Sequence, residues 1–94
     1  MEVTEVRIRR LNGQGKVRGS ASVTFDDAFV VHDIRIVEGE RGYFIAMPSR
    51  RTPAGQYLDV AHPITAAMRD RLQGAVLAAF QAEEEVRELR EGTA

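Results

Sequence analysis

Between Val3 and Val37 apolar and polar residues alternate with a period of two in three successive runs, and that alternation constrains the chain more than any other feature. Successive side chains of a strand point to opposite faces, so such runs suit a sheet with one buried and one solvated face. In the first run, Val3 to Leu11, Val6 and Ile8 oppose Glu5, Arg7 and Arg9. In the second, Lys16 to Phe25, the residues Val17, Ala21, Val23 and Phe25 oppose Arg18, Ser20, Ser22 and Thr24. Asn12-Gly13-Gln14-Gly15 between them tolerates positive φ, which predicts an antiparallel hairpin pairing Leu11 with Lys16, Val6 with Ala21 and Ile8 with Gly19. A tight turn near Asp26-Asp27-Ala28 leads into the third run, Phe29 to Val37, where pairing Phe25 with Val30 sets Val23 beside His32 and Ala21 beside Ile34. The three apolar sets then share one face. Glu38 to Gly42 interrupts the pattern, and short strands are expected at Tyr43 to Met47 and Tyr57 to Ala61, separated by a loop from Pro48 to Gln56.

After His62-Pro63-Ile64 the period changes. Thr65 is a candidate N-cap, and Met68, Leu72, Val76, Ala79, Phe80, Val86 and Leu89 recur at spacings of three and four, one stripe of an amphipathic helix to about Arg90. Gly74 weakens that helix unless a neighbouring backbone approaches it closely. The expectation is a single α+β domain over residues 1–94: a small antiparallel β-meander of about five strands (1–61), then one C-terminal helix (62–91) with an acidic end. One helix covers one face of a sheet, so Phe29, Val31 and Val37, placed by the register on the other face, are expected at the seam of a homodimer.

The chain has no cysteine, which excludes disulfides, thiolate zinc sites and thiol catalysis. No stretch approaches the ~20 apolar residues that span a bilayer, and Met1 to Arg10 carries no signal-peptide pattern, so a cytoplasmic protein with no membrane partner is expected. The net charge of −1 hides a gradient: residues 1–71 hold 11 of the 13 basic and 9 of the 14 acidic residues, leaving the C-terminal stretch, with Glu83-Glu84-Glu85, Glu88 and Glu91, acidic. Twelve of the thirteen basic residues are arginine, whose planar fork suits phosphate, although codon usage also produces such a bias.

Three groups of residues are candidate sites. The loop Pro48-Ser49-Arg50-Arg51-Thr52-Pro53-Ala54-Gly55 offers two adjacent arginines and two hydroxyls, Ser49 and Thr52, on a backbone restricted by prolines, the donors that a nucleic-acid backbone requires. Arg69 and Arg71 near the helix start form a second basic point. On the sheet face away from the core, Arg7, Arg9, Arg18 and Arg35 form a secondary basic face, for which ion pairs with Glu5 and Asp33 on a solvated surface are the competing account. His32 falls on the apolar face and reads as a core histidine, and His62 as a structural residue beside Pro63. No catalytic residue, metal site or cofactor is expected: two separated histidines without cysteine or a carboxylate pattern do not make a ligand set, and the Gly13-Gln14-Gly15 segment joins two strands rather than opening a helix.

Met1 to Arg10 (MEVTEVRIRR), Phe29 to Gly39 (FVVHDIRIVEG) and Phe44 to Ile64 (FIAMPSRRTPAGQYLDVAHPI) closely resemble the bacterial SpoVG (stage V sporulation protein G) family. The resemblance covers nearly everything up to the helix. It implies a small antiparallel sheet with a C-terminal helix, a homodimer, no enzyme, and a role in sporulation, asymmetric septation and gene-expression control with binding of DNA or RNA. The basic pair of the family's Pro-Ser-basic-Arg-Thr-Pro loop falls on Arg50 and Arg51, while Ala54 is neutral at a variable position. The alternative is a cell-division factor that acts through septation or regulatory proteins without nucleic acid.

Overall fold

The computed structural model describes residues 1–11 and 15–92. Strands β1 (Val3–Arg10), β2 (Val17–Phe25), β3 (Phe29–Gly39) and β4 (Gly42–Ala46) form one antiparallel sheet in sequence order, the expected meander. A separate hairpin of β5 (Ser49–Arg51) and β6 (Tyr57–Asp59) follows, and then helix α1 (Ala66–Gly92). The fifth strand of the expected meander is therefore not part of the sheet. It pairs instead with a strand inside what the sequence presents as a loop.

The β1–β2 register lies two residues from the expected one: Val6 pairs with Val23 and Ile8 with Ala21. Leu11 N donates to Arg18 O at 3.1 Å, so the connection extends to Lys16; its expected turn residues 12–14 lie outside the described residues. A slip of two keeps every side chain on its face. The β2–β3 turn is left-handed at both Asp26 and Asp27 (φ +51° each) and closed by Ala28 N donating to Phe25 O at 2.9 Å, the geometry of a type I′ turn.

That turn pairs Phe25 with Phe29 and Val23 with Val31, one residue away from the expected register, yet Ala21 pairs with Ile34 as expected. A bulge reconciles the two halves: His32 and Asp33 together oppose Ser22, with Asp33 left-handed at φ +63°. Past the bulge the alternation of β3 inverts. Val31 thus packs against the core, correcting its expected place on the outer face, and Phe29 lies at the core-side end of its strand although 63% exposed. Val37, half-buried, pairs with Val17 and Phe44 and does lie on the outer face. His32 is exposed instead of buried, its Nδ1 2.8 Å from Ser22 Oγ.

The core lies between the sheet and α1. Ala21, Val23, Phe25, Ile34 and Ile36 from the sheet are buried with Leu72, Val76 and Phe80, an i, i+4, i+8 stripe of the helix. Thr65 Oγ1 accepts from Met68 N at 3.1 Å, so the expected N-cap is in place. Phe80 is fully buried, meets the Tyr43 ring edge-on at 5.3 Å and carries the Arg10 guanidinium 5.2 Å above its centroid. Gly19 makes room for it: a Cβ there would come within 3.0 Å of Arg9 O and 3.5 Å of the Phe80 ring. On edge strand β4, Ile45 N donates to Gln73 Oε1 at 3.3 Å, so the helix occupies part of an otherwise open edge. Beyond Phe80 the stripe leaves the sheet behind, and Val86 (47% exposed) and Leu89 (70%) face solvent, contrary to the expected burial.

Candidate nucleic-acid interface

The outer sheet face is built by cross-strand rows, since directly opposed residues of an antiparallel pair share a face. One row runs Arg9, Ser20, Arg35, Ala46 across all four strands; a second joins Arg7 and Ser22, with His32 hydrogen-bonded to Ser22; a third is Val17, Val37 and Phe44. Three of the four expected arginines thus share this face. Arg18 does not follow the row. A second register shift falls between Val17 and Gly19, and Arg18 Nε donates to Glu38 Oε2 at 2.7 Å. Arg7 pairs with Glu5 two residues earlier on the same strand, an exposed contact worth little. Arg9 and Arg35 are exposed and make no ion pair among the described residues.

The hairpin alters how Arg50 and Arg51 can act. Ser49 pairs with Asp59, Arg50 with Leu58 and Arg51 with Tyr57, so alternation sends the two arginines to opposite faces of a two-stranded ribbon. Arg51 shares a face with Ser49, Tyr57 and Asp59; Arg50 shares one with Leu58. The turn is closed by Thr52 N donating to Gln56 O at 2.7 Å and by Gly55 N donating to Thr52 O at 2.9 Å, and Gly55 takes φ +86° where a side chain would be strained. Thr52 Oγ1 accepts from Gln56 N at 3.1 Å, which leaves its hydroxyl proton to donate.

Sheet and hairpin meet in a cleft of about 190 Å³ lined by Leu11, Val17, Ser20, Asp33, Arg35, Pro48 and Ser49. The cleft joins the basic row of the sheet to the start of β5, with Asp33 as its one acidic member. Arg69 and Arg71 are exposed on the helix, which packs on the opposite side of the sheet, so they do not join this surface. In the acidic run Glu84 Oε1 accepts from Arg10 Nη2 at 2.8 Å and is thereby held to the fold; the side chains of Glu88 and Glu91 lie outside the described residues. The Ser22–His32 pair was not foreseeable, because only the bulge turns His32 outward. Both side chains lie on an open face, and no carboxylate orients the imidazole among the described residues. His62 Nδ1–H donates to the Pro63 carbonyl at 3.0 Å, at the junction with the helix. Among the described residues no group of three His, Asp or Glu side chains is placed to hold a metal ion, and no helix is long and apolar enough to cross a membrane.

Comparison with known proteins places these features in a lineage. The SpoVG family model matches residues 1–82. A protein from Desulforudis audaxviator is 62% identical over 81 residues, 86% of this chain and 92% of its own length. One from Heliobacterium modesticaldum is 57% identical over 81 residues, 86% and 91% of the two chains, and one from Caldicellulosiruptor saccharolyticus 55% identical over 82 residues, 87% and 93%. All three carry the name "Putative septation protein SpoVG". With the sheet, the Pro48–Pro53 segment and the core-packing part of the helix, through Phe80, inside the matched span, the chain belongs to the SpoVG family.

Proposed function

We propose that this chain is a homodimeric, nucleic-acid-binding regulator in septation, for which its relatives are named, and in sporulation. The observation that carries the reading is that the row Arg9, Ser20, Arg35 runs into a cleft that Ser20 and Arg35 share with Ser49, the first residue of the strand that carries Arg50 and Arg51. Hydroxyls and unpaired guanidinium groups arranged along a path suit a phosphate backbone, which affinity for DNA or RNA rests upon. Because Arg50 and Arg51 diverge, a ligand lying in the cleft meets them unequally. Arg51 shares the face of Ser49, which lines the cleft, and is for that reason the arginine assigned to the path.

Binding measured against salt concentration tests this. Arg51→Ala is expected to weaken binding to unrelated sequences alike and to lower the magnitude of the salt slope by about 0.9 per lost contact on duplex or about 0.7 on single strands, with Arg50→Ala changing both less. A folded double variant with unaltered affinity and slope would exclude the hairpin. The second reading, a septation factor acting on protein partners, is favoured by the exposed Phe29, Leu58, Val60 and Ile64; in that case partner binding barely responds to salt.

A further inference from the structure

We infer that Tyr57 is a base-stacking residue and that the ligand of the hairpin is a single strand with unpaired bases; this rests on the nucleic-acid reading above. Tyr57 is 69% exposed, on a two-stranded ribbon that adds no strand to the main sheet. Its ring is the direct cross-strand neighbour of Arg51, on the same face, so a π surface and a phosphate-binding fork stand side by side. The Arg51 guanidinium lies over the turn, its Nη2 3.7 Å from where a Cβ on Gly55 would sit. Asp59, two residues further along that face, repels phosphate and accepts hydrogen bonds from base amino groups. Together they orient a nucleotide with its backbone toward Arg51 and its base toward Tyr57 and Asp59. A duplex hides its base faces within its own stack and gives Tyr57 nothing to cover, whereas an unpaired base of any identity offers one.

The protein supplies its own probe. It has no tryptophan and two tyrosines, and the second, Tyr43, is packed edge-on against Phe80, so quenching of tyrosine emission by an added strand reports on Tyr57. The full chain is titrated with a labelled oligothymidine and with a duplex of equal length, at several salt concentrations, alongside Tyr57→Leu and Tyr57→Phe; sedimentation is recorded for each variant. The expected result is emission quenching by the single strand, and a loss of about five- to one-hundred-fold in single-strand affinity for Tyr57→Leu with the salt slope unchanged. Tyr57→Phe keeps near wild-type affinity, and binding of the duplex is the same in all three proteins. The stacking role is overturned if wild type binds but Tyr57→Leu binds the single strand equally well, or loses duplex and single strand alike. A change in sedimentation of Tyr57→Leu moves the residue to a protein interface and likewise overturns it. Failure of wild type to bind either nucleic acid removes the parent reading and this one with it.

Discussion

Gly74 sits within α1, and among the described residues nothing outside its own turn of helix lies within 4 Å of the place a Cβ would occupy, so none of them makes the close backbone approach that would excuse a helical glycine. Gly74→Ala is therefore expected to stabilise the fold by about 0.5–1 kcal/mol, by raising helix propensity and restricting the unfolded chain. A rise in the denaturant midpoint at constant slope checks it. Glycine 19 is the opposite case, since its missing Cβ is what admits Phe80 and the neighbouring strand. The sequence shows the same residue type at both sites; only the packing separates them. His32 shows the limit of single-residue reading more sharply, because its side depends on a bulge that conserves overall alternation on either side of itself. Nothing in the string FVVHDIRIVEG marks where the phase changes.

Among the elements, β1 to β3 and the start of α1 were legible because each buries one face, and burial writes a period into the residue order. Strand β5 was not. Its Ser-Arg-Arg has no apolar member, and both faces of its hairpin carry exposed side chains, so there is no period to find. The arginines of the candidate site could be named from sequence, but their divergence required knowing that they lie on a strand. The attachment of the helix to the sheet edge was equally hidden, because alternation sets Arg10 on the side of Val6 and Ile8 but nothing in the residue order pairs it with Glu84. Arg10 is half-buried, with its Nη2 on Glu84 and its guanidinium over Phe80, while its Nε and Nη1 have no hydrogen-bond partner among the described residues. Arg10→Ala removes the packed stem, the ring contact and the ion pair together and is expected to cost about 1–2 kcal/mol. Glu84→Gln keeps the stem and ring contact and should cost no more than about 1 kcal/mol. Denaturant titration of both variants is the check, and equal losses would show that the stem contributes nothing.

For the whole molecule, one helix over one side of the sheet leaves Val30, Phe44 and the half-buried Val37 on the other, and Phe29 exposed at the strand end. Sedimentation is expected to show a dimer at roughly tens of micromolar, with a monomer there rejecting the proposed association. Val31 cannot report on the seam, because a charge placed against the core unfolds the chain whatever its oligomeric state. Phe29→Asp and Phe44→Asp are the informative pair: both should stay folded, and whichever dissociates the dimer identifies the face that pairs. The part of α1 beyond Phe80 carries a different consequence. The family match ends at residue 82, two positions past Phe80, the last buried side chain among the described residues, and beyond it the helix meets the sheet through the Glu84–Arg10 ion pair rather than through packed apolar side chains. A stretch released from fitting a core is free to drift in length and charge, and lineages can retune the protein there while the fold it hangs from stays fixed.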